Sequence, residues 1–212
     1  MRDNLAPSLR LMLVTDDRLL AGRDPVAVCR AAERGGVTAV QLRLKDASPR
    51  ETLRVARALV TALSVPVLLN DRPDLALAAG AAGVHLGADD LPVALARRVL
   101  PPAMIVGASV GDASEVPNGL EADYWGIGPW RTTTTKPGAG PALGAEGFRR
   151  LVARAGGRPC IAIGGVRPED VPTVIDCGGV GVAVVSGILA TADVETAARA
   201  YRAAASRSRP AG

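Results

Sequence analysis

A chain of 212 residues, 48% of them hydrophobic, can bury roughly 70% of the surface its unfolded form exposes, so it needs no disulfide or metal staple. Only 2% of it is aromatic, which leaves Ala, Val, Leu and Ile to build the core. The net charge of +4 is scattered, apart from Arg199, Arg202, Arg207 and Arg209, and no basic block is interleaved with aromatics, which argues against a nucleic-acid role.

Short apolar runs alternate with longer alanine-rich amphipathic segments, the pattern of strand and helix units around a parallel sheet. The first strand is expected at residues 11–15 (LMLVT), followed by a helix over 25–34 that Asp24 caps ahead of a proline at its first position. The second, at 40–45, precedes a helix opened by Ser48-Pro49-Arg50-Glu51, which has capping-box spacing. The third, at 65–70 (VPVLLN), leads through a helix over 74–82 to the fourth at 83–87 (GVHLG), and a helix over 91–100 stops at Pro101 and Pro102. The fifth, at 104–110, is followed by a helix that Pro117 and Gly119 keep short. The sixth is expected at 124–128, the seventh at 159–165 (PCIAIGG) after a helix opening near Gly144, and the eighth at 180–188 (VGVAVVSGI), with Asp193 capping the last helix. Eight such units predict an α/β chain folded as one (β/α)8 TIM barrel over residues 1–212, with a short polar N-terminal lead and an arginine-bearing C-terminal tail. An open doubly wound sheet would carry a G-x-G-x-x-G turn after its first strand, and none is present.

The three cysteines, Cys29, Cys160 and Cys177, form no C-x-x-C pair and read as reduced thiols of a cytoplasmic protein. The apolar run at 11–14 is too short for a signal peptide, and the uncharged stretch at 178–192 is broken by glycines and falls short of the ~18 residues of a membrane span.

The active site of such a barrel lies at the C-terminal ends of its strands. Gln41, Arg43 and Lys45 alternate with Leu42 and Leu44, so at period two they share a face. Cations inside a barrel require either an internal salt-bridge network or an anionic ligand at the mouth, and the anion is the favoured reading. Asn70, Asp71 and Arg72 follow the third strand and Asp89 and Asp90 the fourth; carboxylates there suit a Mg²⁺ ion shared with phosphate oxygens, with helix capping as the alternative use. The segment 126–140 (GIGPWRTTTTKPGAG) places four threonines and Lys136 on a backbone that Pro137, Gly138 and Gly140 keep out of helix. Gly164-Gly165 and Ser186-Gly187-Ile188, after the last two strands, stand where these barrels hold phosphate on backbone N–H groups. The single histidine, His85, reads as a core residue, and no Glu is expected at a strand end, so general-base enolisation lacks an agent.

The blocks LMLVTDD, VQLRLKD, LLNDRPDLALAAGAAGVHLGADD, DYWGIGPWRTTTTKPGAGPALG, IAIGGV and VAVVSGI resemble, in this order and nearly end to end, the thiamine phosphate synthase family. The resemblance implies transfer of a hydroxymethylpyrimidine from its diphosphate to the nitrogen of a thiazole phosphate, with release of pyrophosphate. It implies Asp71 and Asp90 as Mg²⁺ ligands, and Arg43, Lys45, Ser109 and Lys136 on the diphosphate, with Lys45, Ser109 and Lys136 as the catalytic set. Gln41 and Asn70 would position the pyrimidine, and Thr133, Thr135, Gly165, Ser186 and Ile188 the thiazole phosphate. The implied partners are small phosphorylated molecules, with no nucleic acid and no membrane; a homo-oligomer is compatible with this. Two positions depart from the family pattern: Ala88 stands where Gln is usual after His-Leu-Gly, and Gly111 where the fifth strand usually ends in Ser-x-His. One alternative is a thiazole tautomerase relative, which uses a histidine just after the sixth strand where this chain has Pro129. The other is a non-catalytic phosphate-binding regulatory homologue, which would be expected to lose the metal and diphosphate groups first.

Overall fold

The computed structural model describes residues 5–132 and 140–206. Among them, β1 (Leu11–Val14), β2 (Ala39–Leu42), β3 (Val67–Asn70), β4 (Gly83–Leu86), β5 (Ile105–Val110), β6 (Tyr124–Ile127), β7 (Cys160–Ile163) and β8 (Gly181–Val184) close into a barrel in chain order. Every neighbouring pair is parallel, and closure comes where Leu11 faces Val182 on β8. The expected (β/α)8 barrel is therefore the observed one.

The strands are buried on both faces, as a barrel wrapped in helices requires. Outward residues such as Leu13, Val40, Leu42, Leu69 and Val84 pack under the helices, while Met12, Ala39, Leu68, Ile105, Tyr124, Ile161 and Ala183 fill the interior. Leu5, just before a 3-10 turn at Ala6–Leu9, and Leu9, its last residue, close the N-terminal end of that interior. Tyr124 is its largest side chain and fits because Gly107, opposite it on β5, has no side chain; a Cβ there would overlap the phenol ring. The layer above is polar. Gln41, Asn70, His85 and Ser109 occupy the inward positions next toward the C-terminal ends, so the fold itself separates a dry floor from a polar mouth.

The helices are α1 (Asp17–Leu20), α2 (Pro25–Arg34), α3 (Pro49–Ala62), α4 (Pro73–Ala79), α5 (Val93–Val99), α6 (Val116–Gly119), α7 (Gly144–Val152), α8 (Val171–Asp176), α9 (Ser186–Leu189) and α10 (Val194–Ser206). Asp24 caps α2 by accepting from Val26 N at 3.0 Å, and Ser48 caps α3 by accepting from Glu51 N at 3.2 Å.

Most strand boundaries shift by a residue or two from expectation, and some differences go further. β2 stops at Leu42 rather than residue 45, because Thr15 Oγ1 takes the Arg43 N–H at 2.8 Å and Asp17 Oδ2 takes the Lys45 N–H at 2.6 Å. Arg43 and Lys45 are thus on the rim, not inside the barrel. β8 stops at Val184, and Ser186 already begins α9. α4 ends at Ala79, where Gly80 turns left-handed at φ +67°. α5 begins only after Pro92, so Asp90 is not its cap. The sequence reading also missed α1 and a 3-10 turn at Pro168–Asp170.

Candidate active site

The C-terminal strand ends enclose a cavity of about 590 Å³ lined by Gln41, Arg43, Lys45, Asn70, His85 and Ser109 on one side and by Gly164, Gly165, Val166, Ser186 and Gly187 on the other. A shallower hollow of about 370 Å³ lies outside the barrel between α2 and the start of α10, away from the strand ends.

The rim cations are each held by a carboxylate. Arg43 Nη1 reaches Asp16 Oδ2 at 3.1 Å, and Asp16 uses its other oxygen to cap α1, accepting from Arg18 N at 3.1 Å and Leu19 N at 3.3 Å. The half-exposed Lys45 ammonium pairs with Asp71. Asp71 sits in the left-handed region at φ +62°, a conformation that disfavours a side chain, and its N–H donates to the His85 carbonyl at 2.9 Å. That bond ties the turn after β3 to β4 and fixes where the carboxylate points.

Asp71 also meets Asp90, whose Oδ2 accepts from Gly87 N at 2.7 Å. Burial, then the hydrogen bond with Asp71, pushes Asp90 up to about 6. Burial acts the same way on Asp71, but its hydrogen bonds with Asp90 and Lys45 outweigh it and hold that carboxyl below the usual range. The contact thus splits the pair, raising Asp90 while Asp71, which also holds the Lys45 ammonium, is lowered.

In the middle of the cavity, Gln41 Nε2 donates to Asn70 Oδ1 at 2.8 Å, which fixes the orientation of both amides. His85 bonds Ser109 Oγ through Nε2 at 3.1 Å and Tyr124 Oη through Nδ1 at 2.9 Å. It is buried and hydrogen-bonded, as a core histidine should be, yet it also lines the cavity.

On the far side, Gly164 and Gly165 adopt φ +87° and +69°. The chain after β6 lies against this turn, with Trp130 N on Ile163 O at 2.8 Å and Arg131 N on Gly164 O at 2.9 Å. Ser186 and Gly187 face the cavity. Ile188 does not line it: its side chain is buried and its N–H already bonds the Val185 carbonyl at 3.2 Å. Thr133, Thr135 and Lys136 lie outside the described residues.

The family profile for thiamine monophosphate synthase matches residues 11–188. A thiamine-phosphate synthase of Xanthobacter autotrophicus is 48% identical over 92% of this chain and 95% of its own length, and one of Chloroflexus aurantiacus is 44% identical over 92% and 91%. The chain belongs to the thiamine monophosphate synthase family. The solved thiamine phosphate pyrophosphorylase of Pyrococcus furiosus superposes with a TM-score of 0.84 at 34% identity, covering 96% of this chain and 98% of that one. A 3-hexulose-6-phosphate synthase structure, at TM-score 0.69 and 19% identity, shares the fold alone.

Within this member of the thiamine monophosphate synthase family, three groups in the cavity or on its rim were given no such place by the sequence reading. Asp16 stands on the rim, where the pairing of β1 with β2 brings it to Arg43. His85 alternates with the outward Val84 and Leu86, so strand periodicity could have turned it inward to the cavity. Glu115 stands at no strand end, as expected, yet it lines the cavity, with Oε2 accepting from Gly111 N at 2.5 Å. It lies five residues past β5, and the loop folds it back. Ala88 and Gly111, the two departures from the family pattern, also face the cavity.

Proposed function

We propose that the chain is a thiamine phosphate synthase, joining a hydroxymethylpyrimidine from its diphosphate to the nitrogen of a thiazole phosphate and releasing pyrophosphate. The observation that carries this reading is a single cavity with two unlike ends. At one end stand Arg43 and Lys45, with the contacting carboxyls Asp71 and Asp90 beside them; at the other, the glycine and serine turns after β7 and β8.

Two contacting carboxyls beside an ammonium group are a donor set that fits Mg²⁺, which prefers few carboxylates and completes its shell with substrate oxygens. Asp71 and Asp90 would hold it, and when bound it would supply positive charge to the leaving diphosphate. Lys45, Arg43, Ser109 and Lys136 would add their own donors to that group. Gln41 and Asn70, fixed by their mutual bond, would orient the pyrimidine ring. Loss of pyrophosphate leaves a cation that the thiazole nitrogen captures, so the residues are needed to stabilise leaving charge and align partners rather than to remove a proton. Gly165 and Ser186 would hold the thiazole phosphate beside Thr133 and Thr135; since the Ile188 N–H is already bonded, its neighbour Gly187 is the better donor. The buried free thiols of Cys29, Cys160 and Cys177 support a reducing, cytoplasmic setting. No helix among the described residues is long and apolar enough to cross a membrane.

The test is thiamine phosphate formation from the two substrates with and without Mg²⁺, beside Asp71→Ala. Metal-dependent product that the variant loses is expected. Binding of a thiazole phosphate with no turnover would make the chain a phosphate-binding relative instead.

A further inference from the structure

The last helix carries a buried polar group up to the phosphate end of the cavity. Tyr201 lies on α10, which packs against α2, α8 and α9, and is almost wholly enclosed. Its hydroxyl donates to the Val166 carbonyl at 2.9 Å. The same group presses on Gly187: a Cβ built there would overlap Tyr201 Oη and come within 3.1 Å of Cζ. Gly187 is not among the glycines with positive φ, so close approach of the tyrosine, rather than an unusual backbone conformation, explains the missing side chain. One hydroxyl thus touches the turn after β7 at Val166 and the turn after β8 at Gly187, and both residues line the cavity.

We infer that Tyr201 is a positioning residue that sets the spacing of these two turns, and with it the aim of their N–H groups at the phosphate ester of the thiazole. This rests on the thiamine phosphate synthase reading. Tyr201 reaches no substrate; it acts through Val166 and Gly187. Burial pushes its hydroxyl up to about 12, so it stays a proton donor throughout the neutral range. An enclosed hydroxyl is kept only where it is bonded, and here its partner is a backbone atom of the site.

The experiment is calorimetric titration of the full chain and of Tyr201→Phe with thiazole phosphate and, in parallel, with the unphosphorylated thiazole alcohol. Removing one hydrogen bond while keeping the ring is expected to weaken the phosphate about 3- to 10-fold and to leave the alcohol unchanged. In steady state the KM for thiazole phosphate should rise by the same factor, with kcat and the KM for the pyrimidine diphosphate unmoved. Gly187→Ala, which pushes on the same contact, should cost more in the wild type than in the Tyr201→Phe background, a non-additivity that a merely local destabilisation does not produce. Equal weakening of both thiazoles, or unaltered phosphate binding, overturns the inference while leaving the synthase reading intact. A wild-type chain that binds no thiazole phosphate removes both.

Discussion

Asp16 divides its two oxygens between the α1 cap and Arg43, so a single carboxylate sets both where the β1 loop turns and where a rim cation points. Truncation to Ala should lower stability by about 0.5–2 kcal/mol through the lost cap. It should also raise the KM for the pyrimidine diphosphate by about tenfold or more, as losing a residue that orients a binding group does; denaturant melts and steady-state kinetics separate the two. Lys45 behaves differently. It stands where leaving charge develops and should be needed in the transition state more than for binding, so Lys45→Ala should lose about 10²- to 10³-fold in kcat with a smaller change in KM. A Lys45→Ala enzyme at near wild-type rate would remove Lys45 from the catalytic set.

At the scale of elements, the contact that matters most runs between the chain after β6 and the turn after β7. Arg131 grips Asp170 with two nitrogens, Nε on Oδ2 at 2.9 Å and Nη2 on Oδ1, and the Arg167 N–H adds a third donor at 2.9 Å. Burial pushes the Asp170 carboxyl up, but Arg131, the Arg167 N–H and Trp130 together outweigh it and hold it below the usual carboxylate range. A depressed folded value means that this stability is present at neutral pH and is lost as pH falls through the folded pKa, below about pH 4. Asp170→Asn should therefore melt below the wild type at pH 7 and approach it as the pH falls through the depressed Asp170 value. A gap between the two that stays constant with pH would show that the charge is not what holds this contact.

For the molecule as a whole, the barrel was legible because each of its signals is local. Apolar runs of strand length, Asp24 and Ser48 at helix starts, and glycine or proline stops mark the β/α units one at a time, and closure follows from their number. Strand ends were less legible. Whether Arg43 stays in a ladder or leaves it depends on Thr15, a residue of the neighbouring strand's loop that periodicity along β2 does not contain. Asp16 meets the rim cation Arg43 from a neighbouring unit, Glu115 reaches the cavity from a folded-back loop, and Tyr201 touches two of its lining residues from the last helix, so no spacing within a motif could announce them. The Asp71 and Asp90 pair was legible as two carboxylates but not as a contacting pair in which Asp90 is raised and Asp71 lowered, which depends on the turn at φ +62° that brings them together.

That pair links the site to global stability. A cation held between the two carboxyls and binding jointly with pyrophosphate would stabilise only the folded chain, by about 2.7 kcal/mol at a hundredfold excess over Kd. In a chain of this size each kcal/mol moves the melting temperature by about 2–4 °C. Mg²⁺ with pyrophosphate should therefore raise it by roughly 5–10 °C, EDTA should cancel the rise, and Asp71→Ala should not show it. Pyrophosphate that protects equally in EDTA would place its binding on the rim cations alone and remove the metal from Asp71 and Asp90.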